Sequence, residues 1–268
     1  MSNPIDDIDL WCAGAAISEE LHTKNTAPIS IDDHVEVMRT GNPYQSGYYA
    51  SGTFNKKTHI LMIGGRSSIL TQPFYHVEIP DKMKQSLGMS DDALDSKIPF
   101  PSGDASKAWA ASKGLIKHPD YVEAKQFRQD LLDKLQSDGV DISKVKVVHV
   151  GHSKDGMTSQ LSVIEHRDDY AITFDSPGVK DCQEAMGRNL SNLEDRILNI
   201  KVKNSIISNE GTPIDAKEMV IDHGVCTESV KEFTTRTRTG DLLKYAYQNM
   251  TKAHSIKNIR EQDRKSVV

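Results

Sequence analysis

One stretch, Val145 to Val179, constrains the fold more than any other part of the chain: VKVVHVGHSKDGMTSQLSVIEHRDDYAITFDSPGV. It opens on an apolar, β-branched run, Val145 to Val150, of the kind that packs on a pleated surface. Gly151-His152-Ser153 follows at once. Met157, Leu161 and Ile164 then recur at i, i+4 and i+7, so a helix here carries them on one face. A second apolar run, Tyr170 to Phe174, stops at Asp175-Ser176-Pro177-Gly178, which cannot continue a strand. The order is strand, sharp turn, helix, strand, the crossover that two parallel neighbours in a sheet require. The predicted fold class is therefore α/β, with a mostly parallel central sheet and helices on both faces.

A serine at such a turn has a chemical use. It stands at the carboxyl end of a strand and under the N-terminus of the next helix, where backbone N–H groups face any negative charge that develops nearby. A nucleophilic hydroxyl needs that exposure and that field. Gly151-His152-Ser153, followed by Ile172-Thr173-Phe174-Asp175-Ser176-Pro177-Gly178, resembles the nucleophile elbow and following strand of the α/β-hydrolase superfamily, and within it the class 3 lipases and their bacterial lipase-like relatives. The resemblance is close over Val145 to Val179 and loose elsewhere. One position departs from the family pattern G-x-S-x-G: its second glycine is Asp155, and glycine arrives one place late as Gly156. That departure keeps a second reading open, in which Ser153 only caps a helix and the chain is a non-catalytic binding protein on a hydrolase scaffold.

The resemblance implies a set of partners for Ser153. Gly47 to Phe54 and His59 to Ile63 read as two strands joined through Asn55-Lys56-Lys57-Thr58, a hairpin link. After them comes Gly64-Gly65-Arg66-Ser67-Ser68, where the family carries an R-G-T or R-G-S type turn beside the elbow. Ser67 or Ser68 would then lie at the oxyanion hole, completed by the backbone N–H of Lys154. Gly64-Gly65 lacks both the dinucleotide-binding glycine spacing and the phosphate-loop lysine, so it does not read as a nucleotide site.

For the triad acid, the expectation is Asp215, in the loop after a strand spanning Ile197 to Ser208. Asp175, ending the strand after the elbow, is the alternative, and Asp222 a weaker one. For the base, the expectation is His254, near the chain end where these relatives place it, with His223 in Asp222-His223-Gly224 as the alternative. The order Ser, Asp, His is the one the superfamily uses. The implied chemistry is hydrolysis of a lipid or another acyl ester, with no metal or cofactor.

Elsewhere the pattern is plainer. Ile5 to Leu21 can form a helix, and the segment from there to Tyr44, with Pro28, Gly41 and Pro43, reads as irregular. Residues 1–44 are thus expected to be a helical and irregular extension packed across the core, and 45–262 the hydrolase-like domain. Residues 70–117, broken by Pro73, Pro80, Pro99 and Pro101, read either as a lid or binding-wall insertion or as ordinary surface loops. Asp120 to Ser137 is the clearest helix, started by Pro119 and ended by Gly139. The region from Pro177 to Glu194 reads as helical with polar breaks.

Charged residues make up 26% of the 268 residues and the net charge is −5, which offers no basic surface for nucleic acid. Three widely spaced cysteines, Cys12, Cys182 and Cys226, form neither a disulfide framework nor a zinc pattern. No apolar run reaches the length of a membrane span, which leaves peripheral contact with a lipid substrate open. No positively charged, apolar leader is visible, so the expectation is a cytoplasmic protein or one exported without such a signal.

Overall fold

The computed structural model describes residues 3–22, 27–40, 48–66, 119–188, 191–203, 205, 208 and 211–221. Among the described residues, eight strands form one sheet in the order of the chain. They are β1 (Ser30–Ile31), β2 (His34–Arg39), β3 (Ala50–Asn55), β4 (Ile60–Gly65), β5 (Lys146–His152), β6 (Tyr170–Phe174), β7 (Ile197–Val202) and β8 (Lys217–Ile221). The first four pair antiparallel and β4 to β8 run parallel. The helices are α1 (Ile8–His22), α2 (Pro119–Ser137), α3 (Lys154–Glu165) and the short α4 (Lys180–Ala185). Among the described residues no helix is long and apolar enough to cross a membrane.

Alternation along the strands sorts the core into two layers, because successive side chains leave a strand on opposite faces. Ile60, Met62, Val148, Val150, Ile172, Phe174, Leu198 and Ile200 pack on one face with Leu10, Ile17 and Leu21 of α1. Leu61, Ile63 and Val147 pack on the other with Phe127, Leu131 and Leu135 of α2. Ala171 and Ile197 meet Met157, Leu161 and Ile164 of α3, the three residues whose spacing marked that helix. Full burial of a leucine or isoleucine is worth about 1.5–3 kcal/mol. These two apolar layers therefore hold the sheet between α1 and the α2–α3 pair, the α/β architecture expected.

The amino-terminal region differs from the sequence expectation in one respect. The helix is present, and it packs across the core. The segment read as irregular, however, contributes β1 and β2 to the same sheet. The pattern was obscured because β2 is only half-buried along most of its length and is flanked by Pro28, Gly41 and Pro43. Within it Glu36 pairs with Arg39 and accepts a hydrogen bond from Ser51 Oγ at 2.8 Å. Ile8–His22 therefore covers the sheet, and Ser30–Ile31 and His34–Arg39 belong to it. The insertion at 70–117 lies outside the described residues.

A buried polar clamp joins α2 to the start of β6. Asp169 receives Arg128 Nε at 2.6 Å and Arg128 Nη2 at 2.7 Å, and its Oδ2 lies 2.9 Å from His149 Nε2. Burial by itself would raise the Asp169 carboxyl, but the hydrogen bonds and charges of His149 and Arg128 outweigh it and hold the group below its ordinary value. This is a histidine–carboxylate pair, yet it belongs to the structural frame. Asp169 immediately precedes β6, at the amino end of the parallel strands.

Candidate active site

The parallel strands point their carboxyl ends to one edge, and β5 ends there in His152. Its neighbour in register on β6 is Phe174, whose own neighbour on β7 is Ile200. The chain then turns into α3 through a single residue, Ser153, with φ 58° and ψ −126°. A residue with a Cβ is strained in that region. The strain is maintained by what surrounds it. Ser153 N–H donates to Phe174 O at 3.0 Å, fixing the turn to the next strand, and Ser153 O accepts from Gly156 N–H at 3.0 Å. The serine side chain makes no capping hydrogen bond to α3. A capping serine has extended backbone and gives its oxygen to the helix N–H groups; Ser153 does neither.

So tight a turn requires α3 to approach the end of β5 closely. A Cβ on Gly151 would lie 2.5 Å from the backbone carbonyl of Asp155 and 2.6 Å from Gly156 N. A Cβ on Gly156 would lie 2.5 Å from Ser176 Cβ. The late glycine thus has a clear job: it lets α3 settle on the Ser176-Pro177 turn that follows β6. Gln160, one turn further along α3, donates to Ser176 Oγ at 2.8 Å and Pro177 O at 3.0 Å, which holds that turn in place.

Asp155 is not a solvated helix-end carboxylate. Its side chain is buried at 3% exposure and its Oδ2 accepts from Gly65 N–H at 2.9 Å. Gly65 is the last residue of β4, and Arg66 N–H is fixed in turn by Tyr49 O at 2.7 Å. The Arg66 guanidinium lies over the Tyr49 ring, 5.2 Å from its centre. Lys154, proposed as an oxyanion donor, is the first residue of α3, and the first N–H groups of a helix have no acceptor within it. Ser67 and Ser68 lie outside the described residues.

The two candidate acids are placed very differently. Asp175 follows Phe174 directly, so it leaves β6 beside the point where Ser153 leaves β5. It is fully buried, has a positive φ of 48°, and its Oδ2 accepts from Ser205 Oγ at 2.7 Å. Its N–H donates to Ile200 O at 2.8 Å. Asp215, the first choice made from sequence, is exposed and stands just before β8. The strand from Ile197 ends at Val202 instead of continuing to Ser208, and the chain returns down the molecule to start β8. Lys217, two residues after Asp215, pairs with Leu198, whereas Ser153 follows the level of Ile200. Asp215 itself is exposed, in a tight turn closed by Ala216 N–H on Ile214 O at 2.8 Å. In a parallel sheet, a residue just before a strand is at the end opposite a residue just after one. His223, Asp222 and His254 lie outside the described residues. Among the described residues no group of three or more His, Cys, Asp or Glu side chains could hold a metal ion.

The sequence reading missed Ser205, which supports Asp175, and the Gly65–Asp155 bond. Neither leaves a local signal, since the partners are far apart in the chain.

No protein-family model matches the chain, and no curated protein does. Among solved structures, it is similar to a triacylglycerol lipase from Penicillium expansum, at 10% identity over 79% of this chain and 77% of that one, with a TM-score of 0.47. It is also similar to the Rhizomucor miehei triacylglyceride lipase, at 14% identity over 91% and 94%, with a TM-score of 0.49. The Lip2 lipase from Yarrowia lipolytica is similar at 12% identity over 80% and 78%, with a TM-score of 0.46. At these identities and scores the likenesses carry no weight for the chemistry, and the site is read from its own residues.

Proposed function

We propose that the chain is a serine hydrolase that cleaves an acyl ester, with Ser153 as nucleophile, Asp175 as the acid and His254 as the base. The observation that carries this reading is Ser153 itself, a buried-edge serine in a strained strand-to-helix turn that caps nothing. Strain of this kind costs of order 1–3 kcal/mol and persists only where the surroundings over-determine it. A serine in such a turn, between the end of a strand and the N-terminus of the next helix, is what a nucleophile elbow requires.

In the proposed reaction His254 takes the Ser153 proton as Oγ bonds to the acyl carbon. The carbonyl electrons move to the oxygen, and the resulting oxyanion is held by the Lys154 N–H and an N–H of the Ser67-Ser68 turn. The Gly65 and Arg66 amides are already committed to Asp155 and Tyr49 O. The base then protonates the leaving alkoxide, the C–O bond breaks, and water repeats the sequence to release the acid. Asp175, fixed by Ser205, orients the imidazole and stabilises its charged form.

The test is labelling by a fluorophosphonate probe, read by peptide mass spectrometry. The folded protein should be modified at Ser153, and Ser153→Ala should abolish the modification. Folded protein that resists the probe would refute the hydrolase reading and leave the non-catalytic binding protein in its place.

A further inference from the structure

The turn between α3 and β6, at the amino end of the parallel strands, holds a titratable ring that the chemistry at Ser153 does not use. We propose that this turn, with His166 at its start, is an acid-operated latch on α2: proton uptake there loosens the helix from the sheet. The latch is independent of the hydrolase reading, because none of its residues belongs to the carboxyl edge.

Side chains of α2 tie it to the two acids that flank His166 in the chain. Arg128 donates to Asp169 through Nε at 2.6 Å and Nη2 at 2.7 Å. Tyr121 OH donates to Glu165 Oε2 at 3.0 Å, and Lys125 Nζ to Glu165 Oε1 at 3.2 Å. Asp169 Oδ2 also lies 2.9 Å from His149 Nε2, and Glu165 Oε1 also accepts from Arg188 Nη2 at 3.3 Å. Every oxygen of both carboxylates is therefore already in use. His166 stands between them, and its Nε2 is buried with no hydrogen-bond partner. A proton on that nitrogen has no acceptor waiting for it.

Histidine ordinarily titrates close to neutral pH, but charging this ring in place is unfavourable. Burial is the largest cause, the Arg128 guanidinium the next, and His149 adds to both; Asp169 and Glu165 act the other way and are outweighed. A second guanidinium backs the turn, since Arg196 Nη1 donates to Arg167 O at 2.8 Å and Val163 O at 3.2 Å. Arg167 and Asp168 themselves are exposed. With the folded pKa held below its ordinary value, the loosened state takes the proton more readily. The latch is thus complete above about pH 6.5, the ordinary histidine value, and weakens as pH falls from there to the folded pKa, by up to about tenfold per unit. A carboxylate that turned to meet the new charge would let go of Arg128, or of Tyr121 and Lys125, so α2 loses a tie in either case. Phe127, Leu131 and Leu135 lie beneath it, and loosening brings them towards water.

The experiment is amide hydrogen exchange on the full chain across the histidine titration range, corrected for the intrinsic exchange rate, which reads local opening of each helix separately. Protection of the α2 amides should fall by up to about tenfold per unit below about pH 6.5, while α1, on the opposite face of the sheet, stays level. His166→Gln cannot take up the proton and should keep α2 protection constant over the same range. A second measurement on the wild-type chain stands even if that variant does not fold: by NMR, the His166 ring should titrate below a histidine of the unfolded chain. A level α2 in the wild type, a pH dependence that survives in His166→Gln, or a ring that titrates at or above the unfolded value would overturn the latch. So would α1 losing protection in step with α2, which would mean that acid opens the whole molecule rather than one helix.

Discussion

The strain at Ser153 can be measured without any substrate. Glycine occupies positive φ without a steric penalty, so Ser153→Gly should relax the turn, whereas Ser153→Ala removes the same hydroxyl and keeps the strain. The comparison of those two variants isolates the backbone term, because loss of the Oγ is common to both. A residue held in a sparsely populated region of this kind costs about 1–3 kcal/mol. Glycine gives back about 0.4–1 kcal/mol of that through the greater freedom of its unfolded chain. The glycine variant should therefore be the more stable of the two, by about 1–2 kcal/mol on these figures. For a protein of this size each kcal/mol moves the midpoint by about 2–4 °C, a difference that calorimetry or urea unfolding resolves. The turn is held by Ser153 N–H on Phe174 O and by Gly156 N–H on Ser153 O, bonds that neither substitution removes. An alanine variant as stable as the glycine variant would show that Ser153 is not strained, and the argument for an elbow would lose its main support.

Further expectations follow from the placement of the other side chains. Asp175→Asn should lower kcat/KM for an ester by on the order of 10³–10⁴, as loss of the orienting carboxylate does in a serine triad, while Asp215→Asn should leave it unchanged; the reverse pattern in steady-state kinetics would return the acid to Asp215. His254→Ala should lose as much as Ser153→Ala, the double variant little more than either, and His223→Ala should stay near wild type; activity surviving in His254→Ala would move the base elsewhere. The pairing with His149 and Arg128 holds the Asp169 pKa below its ordinary value, so its contribution to stability is complete above the unfolded value and is lost as pH falls through the folded one. Asp169→Asn should thus cost about 3–5 kcal/mol near neutral pH, the range for breaking a buried ion pair, and should flatten the fall in stability on the acid side of pH 4; an unchanged acid limb in denaturant titrations would contradict the clamp on Arg128 and His149.

Short-range periodicity carried most of the fold. The strand from Val145, the helix with Met157, Leu161 and Ile164, the strand Tyr170–Phe174, the hairpin through His59 to Ile63 and the helix started by Pro119 all follow from spacing of apolar residues between turn signals. Each such signal lies within a few residues of the element it describes. The sharp strand-to-helix turn at Ser153 was legible for the same reason. What sequence alone did not decide involves residues far apart in the chain. Whether Asp175 or Asp215 faces Ser153 depends on where β7 stops and on the existence of β8, and Ile197 to Ser208 alternates well enough to hide that stop. The five residues of β8, Lys217 to Ile221, gain their strand only from pairing with β7. Asp155 stood out in the sequence only as a departure from the family's glycine, because its acceptor role depends on Gly65, which the parallel pairing of β4 with β5 brings alongside. A local pattern specifies an element through its own dihedrals and apolar face; only the packed sheet decides which elements end at the same edge, and therefore which side chains can act together.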